Sequence, residues 1–208
     1  MNGSSGRSKP SSAGRTWKRR IWPKWLTATT PPPNFQALPD AVVAPRNTRE
    51  VSELLKLCSE EKIPVVPRGS GTNLCAGTTP LGGGIVLLFR HMNRILEIDE
   101  ENLTVTVQPG VITLDLIRAV EEKGLFYPPD PSSMKISTIG GNISENSGGL
   151  RGLKYGVTRD YVLGLEIVMP NGEIIRTGEA GQRCRRLRSD PAVRRLGRDA
   201  RRCHRSDS

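Results

Sequence analysis

The chain has 208 residues and a formal net charge of +10, enough chain for one sizeable domain or two small ones. The excess of base sits at the ends: residues 1–37 hold seven Lys/Arg and no acid, residues 179–208 hold ten Arg against four acids, and residues 38–178 hold fourteen basic and seventeen acidic residues. With no zinc-ligand spacing, no basic helical stripe and no RNP-like aromatic pattern, this distribution argues against nucleic-acid binding, and the lack of an apolar run of about 18 residues predicts no transmembrane helix.

Residues 1–32 are rich in Ser, Gly, Arg and Pro without periodicity, and as an isolated segment they are expected to be disordered. Arg19-Arg20 resembles the start of a twin-arginine signal, but Pro23 and Lys24 interrupt the apolar stretch that should follow. Ala41 to Pro45 predicts a short strand. Asn47 with Glu50 three residues on reads as a capping-box variant, and Val51, Leu54, Leu55 and Cys58 recur at helical spacing, predicting a helix over 48–62. Ile63 to Pro67 predicts the next strand, and the short connection suggests that it pairs in parallel with the first. After a glycine-rich stretch, Gly84 to Phe89 is a near-continuous apolar run of the kind found in buried strands. Residues 95–98 and 103–107 predict two strands of a second sheet joined by an acidic turn. Thr113 to Leu125 predicts a helix with Gly124 near its end, and Tyr161 to Ile175 predicts a hairpin turning at Asn171-Gly172. The Arg-rich residues 179–208 carry almost no aliphatic pattern and are again expected to be disordered. Of the cysteines, Cys58 falls in the helical pattern as a small buried thiol. With Cys75, Cys184 and Cys203 it forms no C-x-x-C pair and no metal cluster, which fits a reduced, cytoplasmic compartment.

Two glycine-rich patches carry the chemistry. Pro67-Arg68-Gly69-Ser70-Gly71-Thr72-Asn73 follows directly on a predicted strand. Its glycines free the backbone for close approach, and successive N–H groups in such a turn can cradle an anion. It is neither a G-x-G-x-x-G motif nor a P-loop, which would need a Lys-Ser/Thr pair. The second patch runs Thr138-Ile139-Gly140-Gly141-Asn142, then Asn146-Ser147-Gly148-Gly149, then Lys154-Tyr155-Gly156. Glycine pairs with hydroxyl and amide neighbours make poor core and suit backbone wrapped against a large polar cofactor. Between the patches, Tyr127-Pro128-Pro129-Asp130-Pro131-Ser132-Ser133 is stiffened by three prolines. It reads either as a wall for a flat ring or as a plain turn after the helix.

The ordered series VVPRGSGTNL, VQPGV, YPPDPSS, TIGGNISENSGG and KYGVTRDYVLGLEIVMPNGE resembles the FAD domain of the vanillyl-alcohol-oxidase/PCMH superfamily. Within that superfamily it is most similar to the glycolate oxidase and D-lactate dehydrogenase group. The resemblance covers residues 33–178 and implies an α+β, PCMH-type FAD-binding domain of two α/β lobes, a first (βαβ) lobe over 33–94 and a second over 95–178, the latter cut short at its C-terminus. It implies that Pro67 and Arg68 to Asn73 hold the pyrophosphate. Pro129, Asp130, Ser132 and Ser133 lie along the flavin. Thr138, Ile139, Gly140, Gly141, Asn142, Asn146, Gly148 and Gly149 line the ring and ribityl region, with Tyr155 and Gly156 nearby. Covalent members often carry a His in the first loop. Here those places are Ser70, Gly71 and Thr72, which implies non-covalent FAD. The implied reaction is hydride transfer from C2 of a small 2-hydroxy acid, glycolate or D-lactate, to the flavin. The implied partner is an iron–sulfur subunit, and the implied location is cytoplasmic, peripheral at the inner membrane through that partner.

The chain departs from the family in two respects. Its histidines, His91 and His204, are poor candidates for the base that such a reaction uses, so no catalytic residue is assigned, and no metal is expected. The family pattern begins abruptly near Pro33 and stops at Gly178 between Arg-rich, unpatterned flanks, which leads us to expect that residues 1–32 and 179–208 are out-of-frame products or otherwise non-homologous, with a genuine basic tail as the alternative, and that the chain alone binds FAD weakly or not at all and does not turn over. Two rival readings are another PCMH-type flavoenzyme, akin to UDP-N-acetylmuramate dehydrogenase or an ether-lipid synthase, and a non-catalytic module with basic arms. The second predicts salt-sensitive polyanion binding.

Overall fold

In a computed structural model, residues 37–178 are described; the expectations for residues 1–32 and 179–208, and for Cys184, Cys203 and His204, lie outside them. Within that span the fold is α+β. Strand β1 (Ala41–Val43), helix α1 (Thr48–Glu60), β2 (Val65–Arg68) and β3 (Ile85–Leu88) come first. Then follow β4 (Ile95–Asp99), β5 (Thr104–Val107), α2 (Thr113–Glu121), α3 (Ile139–Glu145), α4 (Gly152–Tyr155), β6 (Leu165–Val168) and β7 (Ile174–Thr177).

The first sheet is parallel but ordered β1-β3-β2. Strands β1 and β2 run parallel, as the β-α-β pattern requires, yet they do not pair with each other: Ile85 of β3 stands between Ala41 and Val65. The apolar run of β3 is the reason. Val86, Leu87 and Leu88 are all buried, and only the central place in a sheet covers both faces of such a strand. On one face Val43 and Leu87 pack with Val51, Leu54, Cys58 and Met92. On the other, Val42, Ala44, Val86 and Leu88 form a second cluster. Burial pushes the Cys58 thiol upward, as expected of an inert core cysteine.

Helix α1 starts where its cap predicts. The Asn47 side chain accepts from the Glu50 amide at 2.9 Å, and the Glu50 carboxylate accepts from the Arg46 amide at 2.9 Å, one residue before the cap. Helix α1 also holds the β6–β7 hairpin. Thr48 Oγ1 donates to Glu166 Oε1 at 2.6 Å, the Ser52 hydroxyl donates to the Gly172 carbonyl, and Val168 packs against the α1 core. The Asn171-Gly172 turn forms as expected, with Gly172 at φ +81. The hairpin, which the sequence pattern groups with residues 95–178, thus makes these contacts to a helix of the 33–94 stretch. Its strands begin at Leu165 rather than Tyr161, because Thr158–Tyr161 winds into a short 3-10 turn.

Strands β4 and β5 form an antiparallel pair with an irregularity between Ile95 and Glu97. Their inner residues Ile95, Ile98, Val105 and Val107 cover α2, whose Leu116 and Val120 pack with Val111 and Ile139. Helix α2 stops at Glu121 rather than Leu125. Gly124 at φ +72 turns the chain back, and the Leu125 amide donates to the Val120 carbonyl at 3.0 Å, a glycine-terminated helix end. Helices α3 and α4 form where the sequence pattern predicts only glycine-rich loop, over 138–156. Helix α3 forms because Thr138 caps it, its hydroxyl accepting from the Gly141 amide at 3.3 Å, and because Ile139 is buried. Tertiary burial here outweighs the poor helix propensity of two glycines.

Candidate functional site

The parallel strands place their C-terminal ends on one side, where ligands bind in open α/β sheets. Residues 69–84 leave the end of β2 there. Arg68 is buried at 7 % exposure and donates to the Thr78 carbonyl and hydroxyl at 3.3 Å each. Burial lowers its pKa. Gly71, at φ +74, lies directly over that guanidinium, so Arg68 braces the loop from below. Thr78 Oγ1 also donates to Asn73 Oδ1 at 3.0 Å, and the Asn73 Nδ2 amide is buried with no hydrogen-bond partner. Pro67 and Ser70 are exposed and Thr72 half-buried.

The fold brings the two glycine patches together at Gly69. A Cβ there would strike the Thr138 hydroxyl, so the first loop rests on the start of α3. The loop also reaches the other end of that helix, where a Cβ on Gly77 would meet both Asn73 Nδ2 and Glu145 Oε1. A second close approach occurs at Gly149, where a Cβ would strike the carbonyl and carboxylate of Asp130. There Asp130 Oδ1 accepts from the Arg151 amide at 3.1 Å, with the Arg151 guanidinium 3.7 Å from Oδ2. This clasp joins the proline-rich segment to the second patch and borders a cleft of about 330 Å³ lined by Asp130, Pro131, Ser132, Met134, Gly148, Gly149 and Leu150. That volume is within the range of small-molecule sites.

The remaining expected residues are placed as follows. Pro129 is buried, and the Ser133 carbonyl accepts from the Ile136 and Ser137 amides at 2.9 and 2.7 Å. Ile139 is core, and Gly140 and Gly141 form the first turn of α3. Asn142 faces inward at 1 % exposure and donates to Thr113 Oγ1 at 2.6 Å. Asn146 ends α3 at φ +50 and accepts from the Arg159 amide at 3.0 Å. Tyr155 meets Phe126 edge-on with centroids 5.7 Å apart, and its carbonyl accepts from the Tyr161 hydroxyl at 2.5 Å. Gly156, at φ +87, abuts Asp160. Beside this group the Tyr127 phenol is pushed up to about 12, by burial first and by Tyr161 second, and the residue packs against the Leu116 and Val120 cluster.

Sequence reasoning missed Thr78, Thr113, Ser137, Met134, Leu150 and Arg151. Thr78 and Thr113 carried no signal, since a hydroxyl in a loop or at a helix start reads as an ordinary cap or turn. Leu150, 98 % exposed at the cleft, breaks the rule that large aliphatics are buried, and nothing in its sequence neighbours marks it. Among the described residues no three His, Cys, Asp or Glu side chains gather as metal ligands, and no helix is long and apolar enough to cross a membrane.

These features fit a flavin dinucleotide. A partnerless buried amide at Asn73 lies in a glycine turn beyond a strand end, and a cleft walled partly by glycine backbone lies beside α3. Comparisons with known proteins agree. The chain is 79% identical over 146 residues to glycolate oxidase subunit GlcD of Bacillus subtilis, covering 70% of this chain and 31% of that protein. It is 46% identical over 143 residues to D-lactate dehydrogenase of Anaerostipes hadrus, covering 69% of this chain and 30% of that protein. The chain therefore spans less than a third of the length of these relatives. Among solved structures, substrate-bound p-cresol methylhydroxylase superposes with a TM-score of 0.59 at 25% identity, covering 78% of this chain and 32% of that one. The FAD binding domain family matches residues 39–178, and the chain belongs to that family, with an α+β fold of the p-cresol methylhydroxylase type and FAD as its cofactor.

Proposed function

We propose that the chain supplies the cofactor-binding part of an FAD-linked oxidoreductase that converts a small 2-hydroxy acid, glycolate or D-lactate, to the 2-keto acid. The observation that carries this reading is the 79% identity to GlcD, supported by D-lactate dehydrogenase as a relative at 46%. When bound, FAD supplies the acceptor for the hydride leaving C2 of the acid. The chain's own residues bind and orient. The amides of residues 69–73 and the free Asn73 Nδ2 would hold the pyrophosphate, with Ser70 and Thr72 as further donors. Pro129, Asp130, Ser132 and Ser133 on one side, and Thr138, Gly140, Gly141, Asn146, Gly148 and Gly149 on the other, would enclose the ring and ribityl chain, with Ile139 and Asn142 behind them and Tyr155 and Gly156 beyond. Positions 70–72 are Ser, Gly and Thr, so we assign non-covalent attachment.

Asp130, the carboxylate that lines the cleft, is engaged by Arg151, and His91 lies exposed on the 3-10 turn after β3. Neither is placed to take the proton of a substrate hydroxyl, so the chain by itself is proposed to lack turnover. In this reading the domain boundary falls near residue 94, an iron–sulfur subunit receives the electrons, and the assembly works in the cytoplasm, held at the inner membrane through that partner.

The test has two parts. The full chain is mixed with FAD and then, without oxygen, with glycolate or D-lactate. FAD uptake without bleaching of the flavin absorbance is expected. The gene is then read in all frames across codons 33 and 178, and any longer in-frame product is assayed in the same way. Bleaching of that product by one of the two acids supports the reading. Failure of both chains to take up FAD, or bleaching of the longer one by neither acid, rejects it.

A further inference from the structure

The polar interior beneath the second glycine patch has an arrangement that flavin contact alone does not require. Thr113, Ser137 and Asn142 are 0, 3 and 1 % exposed. Asn142 Nδ2 donates to Thr113 Oγ1 at 2.6 Å. Thr113 Oγ1 donates to the Ser137 carbonyl at 3.1 Å and lies 2.9 Å from the Ser137 hydroxyl. The proton count closes: the threonine hydroxyl gives its single hydrogen to the carbonyl and accepts on its two lone pairs from the amide and the serine hydroxyl. Backbone bonds reinforce the junction, with Thr113 N donating to Ser137 O at 2.9 Å and Ile139 N to Val111 O at 2.8 Å. Three segments meet here: the start of α2, the end of the segment carrying Ser132 and Ser133, and α3 with Gly140 and Gly141.

The backbone of Asn142 extends the connection to the cleft. Its carbonyl accepts from the Ser147 amide at 2.9 Å and from the amide of Asn146, which ends α3. The Ser147 carbonyl in turn accepts from the Thr158 hydroxyl at 2.6 Å, and Asn146 Oδ1 from the Arg159 amide at 3.0 Å. Gly148 and Gly149, which line the cleft, follow immediately. A single residue thus ties Thr113 and Ser137 to the loop that carries Gly148 and Gly149.

We propose that Asn142 is a positioning residue: through its amide bond to Thr113 it sets the placement of α3 and of the 146–149 loop, and it affects flavin binding without touching the flavin. A buried amide in a closed network of this kind has one compatible geometry, because breaking any one bond leaves a buried donor or acceptor unmet. The inference rests on the flavin reading above.

The full chain decides between positioning and contact. FAD affinity is measured by flavin fluorescence, and the circular dichroism of the bound flavin reports its surroundings. Asn142→Ala and Thr113→Val are each expected to weaken FAD binding about tenfold and to alter the flavin dichroism in the same way. The double variant should be no weaker than either single one, and Thr113→Ser should bind as the parent does. Parent-like binding by Thr113→Val together with loss in Asn142→Ala means that Asn142 contacts the flavin directly and overturns the proposal. If far-ultraviolet dichroism shows that Thr113→Val does not fold, Ser137→Ala decides instead: it removes one hydroxyl and keeps the bond to the Ser137 carbonyl. Weakened FAD binding in that variant supports the network, and unchanged binding rejects it. If neither the parent chain nor the longer in-frame product takes up FAD, the flavin reading itself is rejected, a result distinct from either; if only the longer product takes it up, the same variants are made in that product.

Discussion

The two halves of the described fold are built from different interiors. Around the parallel sheet the core is aliphatic, with Val42, Val43, Ala44, Val51, Leu54, Val86, Leu87 and Leu88 packed on its two faces. Around α2 and α3 an aliphatic cluster of Val111, Leu116, Val120 and Ile139 lies against the buried polar residues Thr113, Ser137, Thr138 and Asn142. Aliphatic packing is non-directional and tolerates some rearrangement, whereas buried hydrogen bonds fix distance and angle. The first half therefore secures the fold, and the second spends part of its burial on holding loops in register around a cleft. The contrast shows where a substitution should lower stability and where it should impair the site.

The largest expected effect tests the aliphatic side. Leu87→Ala, in the central strand at 2 % exposure, is expected to cost about 3 kcal/mol, read as a lower urea midpoint with unchanged slope. A cost under about 1 kcal/mol would mean that the sheet core repacks freely, and the contrast between the halves would fail. Next, Gly149→Ala places a methyl on the Asp130 carbonyl and carboxylate. We expect a loss of about 2 kcal/mol and a larger proportional loss of FAD affinity, because the 146–149 loop must move away from the cleft wall. Equal affinity in calorimetry would show that the clasp does not shape the site.

A smaller effect concerns the hairpin. Ser52→Ala removes the hydroxyl that reaches Gly172 and is expected to cost about 1 kcal/mol. It should speed hydrogen exchange of the β6–β7 amides ahead of those in β3, and uniform acceleration would show that the hairpin opens only with the whole fold.

The smallest effect is in pH. Hydrogen bonds from Thr48 and then Arg176 hold the Glu166 carboxyl below the usual range. A depressed acid contributes stability above its unfolded value and loses it as the pH falls toward the folded value. Docking of the hairpin on α1 should weaken slightly below the ordinary glutamate range, and Glu166→Gln should abolish that slope. An unchanged slope in the variant would assign it to other carboxylates.

Much of this was legible in the sequence, and the reasons are local. Asn47 with Glu50 marked the start of α1, the apolar run of β3 marked a buried strand, and Asn171-Gly172 marked the hairpin, because capping, burial and turn chemistry act over a few residues. The glycine patches marked the candidate cofactor region for the same reason: backbone freedom is written in residue type. Sequence pattern did not place β3 between β1 and β2, since order in a sheet depends on which strand must be covered on both faces. It did not anticipate α3, whose two glycines disfavour a helix until Thr138 caps it and Ile139 and Asn142 are buried. Nor could it pair Asn142 with Thr113, which its amide finds across 29 residues of chain. The sequence by itself determined most of the elements outside the second glycine patch, the cofactor class and the family. Only the tertiary structure decided which polar residues face the cleft and which face one another, because that choice depends on partners brought together by folding.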